Sequence, residues 1–379
     1  MFEKKCIICI LCAIMLAMTP ACVTNATDFE FGTGKSAGLF EALSMTEVAG
    51  KDTDKKMDAA GLSKLPALLL ICELADAGRL NTSTMVKVSD KAAQISGPTA
   101  FIEVDESITA DLLLKAAVII MAGDAIVALA EAAMTETEFL AAMNLRLADL
   151  GINAIYQDIV GSGIMLSARE IAILGAQLIK SATFERYGTV FYDSITHDDG
   201  RLTELASSNK LLKSCVGCKG VATGSSGTAG YCGVFAVKRA ETAYICVVMG
   251  AENAASRVKI ASDAIERAFS SYKAAVLVKK GDVVVHDIPV LDGQIPKINL
   301  VAANDAVALL PVGSTFNAKI SAVEELQAPV KHTDKTGSVT YVDVDENVLA
   351  IVDLVAHTDV EIANVADYMK IVFLTWLHA

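Results

Sequence analysis

A serine placed three residues before a lysine on a helical turn can carry out acyl transfer. The amine takes the hydroxyl proton, and the oxygen then attacks a carbonyl. The 379-residue chain has this spacing at Ser207 and Lys210, at Ser256 and Lys259, and at Ser270 and Lys273. Ser207-Ser208-Asn209 also spells Ser-x-Asn, and Lys335-Thr336-Gly337 spells Lys-Thr-Gly. Ser63 stands directly beside Lys64. Matches this short arise by chance, so their order along the chain has to decide among them. Cys215-Val216-Gly217-Cys218 has a metal-ligand spacing. It has no second pair and no nearby histidine, so no metal site is expected and no cofactor is implied.

A different set of stretches has the right order. The first is Ala59-Ala60-Gly61-Leu62-Ser63-Lys64-Leu65. The second is Met121-Ala122-Gly123-Asp124-Ala125, running into Val127 to Glu131. The third is Gly220-Val221-Ala222-Thr223-Gly224, followed by Ala229-Gly230-Tyr231-Cys232. Together they resemble the D-alanyl-D-alanine carboxypeptidases, the low-molecular-weight penicillin-binding proteins of peptidase family S11. That family carries Ser-x-x-Lys, Ser-x-Asn and Lys-Thr-Gly at these places. Here the nucleophile position reads Gly61, and the Ser-x-Asn serine and asparagine read Met121 and Gly123. The lysine of the third motif reads Ala222. Lys64, Thr223 and Gly224 are retained.

The resemblance extends over nearly the whole mature chain. Val86 to Ser89, Glu106 to Leu113, Met143 to Gly151, Ser167 to Ala172 and Asn209 to Leu212 all look like family segments. The stretch between Ile155 and Ser167 is shorter than usual and lacks the family's Asn-x-x-Gly-Leu pattern. By the same resemblance, Ser207 to Lys210 falls just before the third motif, Ser256 and Ser270 fall on a closing helix, and Lys335 to Gly337 falls in a second-domain turn. Ser63 lies two residues past the nucleophile position, which on a helix turns its side chain away by about 200°.

In the family, the serine attacks the carbonyl of the penultimate D-Ala of a peptidoglycan stem peptide. The lysine takes its proton, the Ser-x-Asn pair orients the peptide, and the third-motif lysine holds the terminal carboxylate. Glycine offers no nucleophile, so no acyl-enzyme can form at Gly61. Loss of the nucleophile costs about 10⁶ in rate in serine peptidases. Backbone N–H groups at Gly61 and Ser225 would still form an oxyanion hole, since they need no particular side chain. Thr223, Gly224 and Ser225 are therefore the expected binding residues, and Lys64 is left without a partner to activate. The expected function is an inactive homologue that binds a stem peptide or a cell-wall assembly protein. The alternatives are a working carboxypeptidase with rearranged residues, and an interaction module whose old cleft is filled by Met121, Ala222 and their neighbours.

These residues need a scaffold, and apolar periodicity outlines one. Leu65 to Ala77 reads as a buried helix stopped by Gly78, and Asp111 to Met134 as two helices broken near Ala122-Gly123. Glu136 to Leu150 is amphipathic, and Ser167 with Glu170 is a capping box opening a helix to Lys180. Tyr231 to Lys238 and Thr242 to Met249 read as adjacent strands, followed by a helix from Glu252 to Tyr272. Helices on an antiparallel sheet make an α+β, penicillin-binding-protein-like domain over 27–274. Short β-rich runs follow over 275–359, as expected of a small β-sandwich. There Leu300-Val301-Ala302 with Asp305 is echoed by Leu354-Val355-Ala356 with Asp359.

The ends and the composition locate the protein. Residues 1–26 read as a signal peptide, with Lys4 and Lys5 before a short apolar stretch and small residues at the cleavage site; an uncleaved anchor is the alternative. Four of the nine cysteines fall inside that segment. The five that remain argue against a full disulfide framework. Cys215 and Cys218 would suit a short-loop disulfide in an exported protein, or reduced buried thiols. Residues 360–379 read as an amphipathic helix with Val365, Tyr368, Met369, Val372, Phe373, Trp376 and Leu377 on one side. It would lie on the membrane surface, or pack on its own domain. The net charge of −13 excludes an electrostatic partnership with nucleic acid.

Overall fold

The computed structural model describes residues 29–369 and Phe373. The central element is a five-stranded antiparallel sheet: β1 (Ser36–Glu41), β2 (Glu47–Lys51), β3 (Cys218–Ser226), β4 (Gly230–Arg239) and β5 (Thr242–Ala251). Its order is β2-β1-β5-β4-β3. Both faces are covered, so the central strands read as nearly unbroken apolar runs. Along β5, Ile245, Val247 and Met249 enter the main helical core. The alternate residues Tyr244, Cys246 and Val248 meet Ile260, Ala261 and Ile265 of the closing helix on the other face.

Helix α1 (Leu65–Asp76) runs through the main core, flanked by other helices. It is apolar around almost its whole circumference, as burial on every side requires. Pro66 sits in its first turn, where an N–H has no partner to lose, and Gly78 ends it at φ +69°. Helix α2 (Ala110–Ile120) stops at Met121, which takes the left-handed conformation at φ +56°, and α3 (Gly123–Ala133) follows at once. The capping boxes Thr135/Glu138 and Ser167/Glu170 open α4 (Glu136–Asp149) and α5 (Ala168–Leu178). Then come α6 (Ala182–Gly188) and the closing helix α7 (Ala254–Ser271).

The second region is β-rich, as expected. Its strands are β6 (Tyr272–Val278), β7 (Val283–Leu291), β8 (Lys297–Ala302), β9 (Ala306–Pro311), β10 (Phe316–Ala322), β11 (Leu326–Gln327), β12 (Lys335–Asp343) and β13 (Val348–Ala356). One sheet has the order β10-β12-β13-β8-β7-β11, while β6 pairs with β9. Leu277, Leu300, Leu310, Val339 and Leu354 share their core. The two halves of the small repeat pair with each other, Leu300 opposite Ala356 and Ala302 opposite Leu354. One expectation is corrected: Lys335-Thr336-Gly337 opens strand β12 and is not a turn, with Thr336 Oγ1 donating to the Leu354 carbonyl at 3.0 Å.

The expected signal peptide lies outside the described residues, as do Lys370 to Val372 and Leu374 to Ala379 of the terminal helix. Val365 and Met369 are 81% and 71% exposed. Among the described residues, no helix is long and apolar enough to cross a membrane.

Strand β3 reaches its position through a strained entry. Gly220 has φ +84°, and a Cβ there would lie 2.1 Å from the Gly188 carbonyl oxygen. Val221 follows at φ +114°, a conformation a β-branched residue rarely adopts. Gly220→Ala should therefore cost about 2 kcal/mol or more and lower the melting temperature by several degrees. Gly227→Ala, where nothing lies within 4 Å, should change stability by less than about 0.5 kcal/mol. Thermal unfolding followed by circular dichroism measures both.

Candidate active site

An open cleft of about 800 Å³ lies between the turn before α1, the end of α2, the 160–164 loop and strand β3. Ala60–Lys64 forms a 3-10 turn leading into α1. Asp58 anchors it, accepting from Ala60 N at 2.8 Å and from the Thr228 hydroxyl beyond β3. Ala60 takes φ +48°, an uncommon conformation for a residue with a side chain. Gly61 faces the cleft. Apart from its chain neighbours, a Cβ built on it would meet only Gly224 Cα, at 3.5 Å, so a serine would fit. The converse position is closed, since a Cβ on Gly224 would sit 2.6 Å from Gly61 N. Strand β3 thus lies directly on the turn, and only glycine at 224 permits it. Thr223, Gly224 and Ser225 all line the cleft.

Lys64 is buried and also lines the cleft, with Nζ donating to the Met121 carbonyl. Burial pushes its amine down to about 8, against the pull of the Asp124 carboxylate. Asp124 is itself occupied, accepting from Ala100 N at 2.9 Å and Ala125 N at 2.8 Å. The positions expected to be degenerate are not equivalent. Met121 borders the cleft, whereas a Cβ on Gly123 would meet Ile95 Cγ2 at 2.7 Å. An asparagine restored there would have to displace Ile95. Ala222 lines a narrow cavity shared with Met121, Asn209 and Thr223, and not the open cleft it was expected to help fill.

The literal serine matches gain no base. Ser63 Oγ donates to the Val160 carbonyl at 2.7 Å, and Tyr156 Oη donates to the Ser63 carbonyl at 2.9 Å. Both contacts tie Ser63 to the loop that departs from the family pattern. Ser207 Oγ accepts from Asn209 N at 3.3 Å; its neighbour Ser208 does reach the cleft wall, but its hydroxyl pairs with Thr223 Oγ1, Asn209 is buried, and Lys210 is exposed. Ser256 lies near the start of α7, and Ser270 Oγ donates to the Arg267 carbonyl at 2.7 Å. Cys72, Cys215, Cys218, Cys232 and Cys246 are free and buried thiols.

Arg257 was missed by sequence reasoning. It is 3% exposed, lines the cleft, and donates through Nη1 to the Cys232 carbonyl at 2.9 Å and the Gly224 carbonyl at 3.2 Å. Its Nε has no hydrogen-bond partner among the described residues. Loss of solvent weakens its hold on the proton. The signal was present in the sequence, because position 257 falls on the buried stripe of α7 with Ile260, Ala261, Ala264, Ile265 and Ala268. An arginine on such a stripe needs a reason to be there.

Comparison with known proteins agrees with this architecture. The family described as D-alanyl-D-alanine carboxypeptidase matches residues 32–253, and the penicillin-binding protein 5 C-terminal domain matches residues 272–362. The chain is 28% identical over 350 residues to the D-alanyl-D-alanine carboxypeptidase DacF of Bacillus subtilis, covering 90% of each. It is 25% identical to DacC of Escherichia coli, covering 80% of this chain and 78% of that one. Penicillin-binding protein 5 from Haemophilus influenzae superposes with a TM-score of 0.77 at 21% identity, over 87% of this chain and 98% of the other. With more than half of its length matched by the first of these families, the chain belongs to the D-alanyl-D-alanine carboxypeptidase family, peptidase S11, and is a carboxypeptidase-like protein of peptidoglycan metabolism.

Proposed function

We propose that this chain is an exported, catalytically inactive member of its family that holds a stem peptide without cutting it. The observation that carries the reading is Gly61, at the cleft-facing start of the turn where the family places its serine. Among the described residues, the two serines at the cleft that the sequence offered as replacements have other partners: Ser63 donates to a carbonyl and Ser208 pairs with a hydroxyl. The cleft is nevertheless open, which weighs against a vestige filled by its own side chains. Arg257 offers a buried cation for a peptide carboxylate, the charge that Ala222 no longer supplies. The organisation we propose is a signal peptide at 1–26, a carboxypeptidase-like domain at 27–274, a β-rich domain at 275–359 and a membrane-associating helix at 360–379. That places the protein at the outer face of the cytoplasmic membrane, where it would scaffold wall assembly.

The direct test of inactivity is acylation by penicillin, since a β-lactam traps the attacking serine as an ester. After incubation with excess penicillin, intact-mass spectrometry should show no adduct that hydroxylamine removes. A stoichiometric ester on Ser63, Ser208 or any other serine would contradict the reading and favour a working enzyme with rearranged residues.

Membrane association rests on the last helix. Its exposed Val365, Met369 and Phe373 continue in the sequence to Trp376 and Leu377, which can bury at the headgroup boundary. Each such side chain contributes roughly 1.5–3 kcal/mol when fully buried. Tyr368 Oη donates to Asp292 at 2.8 Å, which ties the start of the helix to the second domain. The protein from Thr27 to Ala379 should float with liposomes, and a chain ending at Asp359 should not. Equal flotation of the two would show that the helix docks on its own domain.

A further inference from the structure

The cleft holds two opposite charges that its own side chains do not join. Asp58 is the only carboxylate among the described residues that line it. Its Oδ2 accepts from the Ser226 hydroxyl at 3.3 Å and from the Thr228 hydroxyl, and its Oδ1 accepts from Ala60 N at 2.8 Å. A carboxylate has about four acceptor positions, so one is left for a further donor. The Thr228 hydroxyl, helped by Ala60 N and Ser226, holds the carboxyl below its usual range against the effect of burial, so it is anionic at neutral pH. Among the described residues no cation acts on it. Arg257 is the opposite charge, with Nη1 donating to the Gly224 carbonyl at 3.2 Å and Nε without a partner among the described residues. Lys64 differs from both, since it lies under the pull of Asp124.

Both charges are tied to strand β3, Arg257 at residue 224 and Asp58 at residue 226. Two residues along an extended strand are about 7 Å apart. Strand β3 is the outer strand of its sheet, and Thr223 to Ser226 line the cleft. An extended peptide with its terminal carboxylate at Arg257 would run antiparallel to β3. Its third residue from the C-terminus would then stand level with Ser226, and a long, flexible side chain there can carry an amine to Asp58. We propose that the cleft selects peptides with a free primary amine on that third residue, and that Asp58 recognises the amine. This rests on the reading of the cleft as a peptide site and adds the chemical class of the peptide. The ammonium donates to Asp58 while the carboxylate accepts from Arg257, so the cleft reads both charges and the direction of the chain. Asp58 is partly exposed, so the preference is modest and weakens with salt.

Two peptides that differ in one charge test it, Nα-acetyl-Lys-D-Ala-D-Ala and its Nα,Nε-diacetyl form. Calorimetry on the full mature chain at low salt should show the free amine binding about 3- to 5-fold more tightly, and raised salt should shrink the difference. Asp58→Asn keeps an oxygen for Ala60 N and removes the charge. It should abolish the preference by weakening the free-amine peptide alone. If that variant fails to fold, the peptide pair and its salt dependence on the natural protein decide the question. Equal affinity for the two peptides, or an Asp58→Asn effect that is the same on both, would overturn this proposal and leave the peptide-binding reading in place. Binding of neither peptide would overturn both.

Discussion

The site depends on one close approach, that of strand β3 to the turn before α1. Gly224 lies so near Gly61 that a single methyl group at 224 would collide with the Gly61 amide nitrogen. This contact fixes the spacing between the start of the buried helix and the edge of the sheet, and so the width of the cleft. Ala60 and Val221, next to Gly61 and Ala222, and Met121 itself all take positive φ angles, although none is glycine. Such conformations persist only where the surrounding packing over-determines them, and they cluster at active sites.

The electrostatics of the cleft turn on two buried cations. Lys64 has a backbone carbonyl and the pull of Asp124, and burial dominates. The remaining cation at the cleft, Arg257, is held by two carbonyls, and its Nε has no partner among the described residues. A protein selected only to fill an old cavity would gain by replacing both with apolar groups, because unpaired buried charge costs stability. Their presence around an open cleft is the strongest physical argument that the cleft still binds something.

Much of this was legible in the sequence because the elements that carry the site are strongly patterned. Helix α1, the break near Ala122-Gly123, the Ser167/Glu170 capping box and the β4–β5 hairpin follow from periodicity and local hydrogen-bonding chemistry. What pattern could not give was depth. Ala222 was expected at the cleft, but it lines a separate narrow cavity with Met121 and Asn209. Ile95 lies far from Gly123 in sequence, yet it covers the place where a side chain at 123 would stand. Strand β10 escaped notice because Asn317, Ala318, Lys319, Ile320 and Ser321 are all exposed on an edge and show no alternation. Arg257 was masked by a serine-lysine spelling, although its place on a buried helical stripe was readable.

The central claim is that the cleft binds a peptide carboxylate without turnover. Calorimetry with a stem pentapeptide ending in D-Ala-D-Ala, run beside an assay for released D-Ala, tests it most directly. The account predicts saturable one-to-one binding and no D-Ala above background. It also predicts that amidating the peptide's carboxyl terminus, or Arg257→Gln, weakens binding about 10-fold or more, as expected for a lost charge-assisted hydrogen bond. Steady release of D-Ala, or binding that is indifferent to both changes, would contradict it.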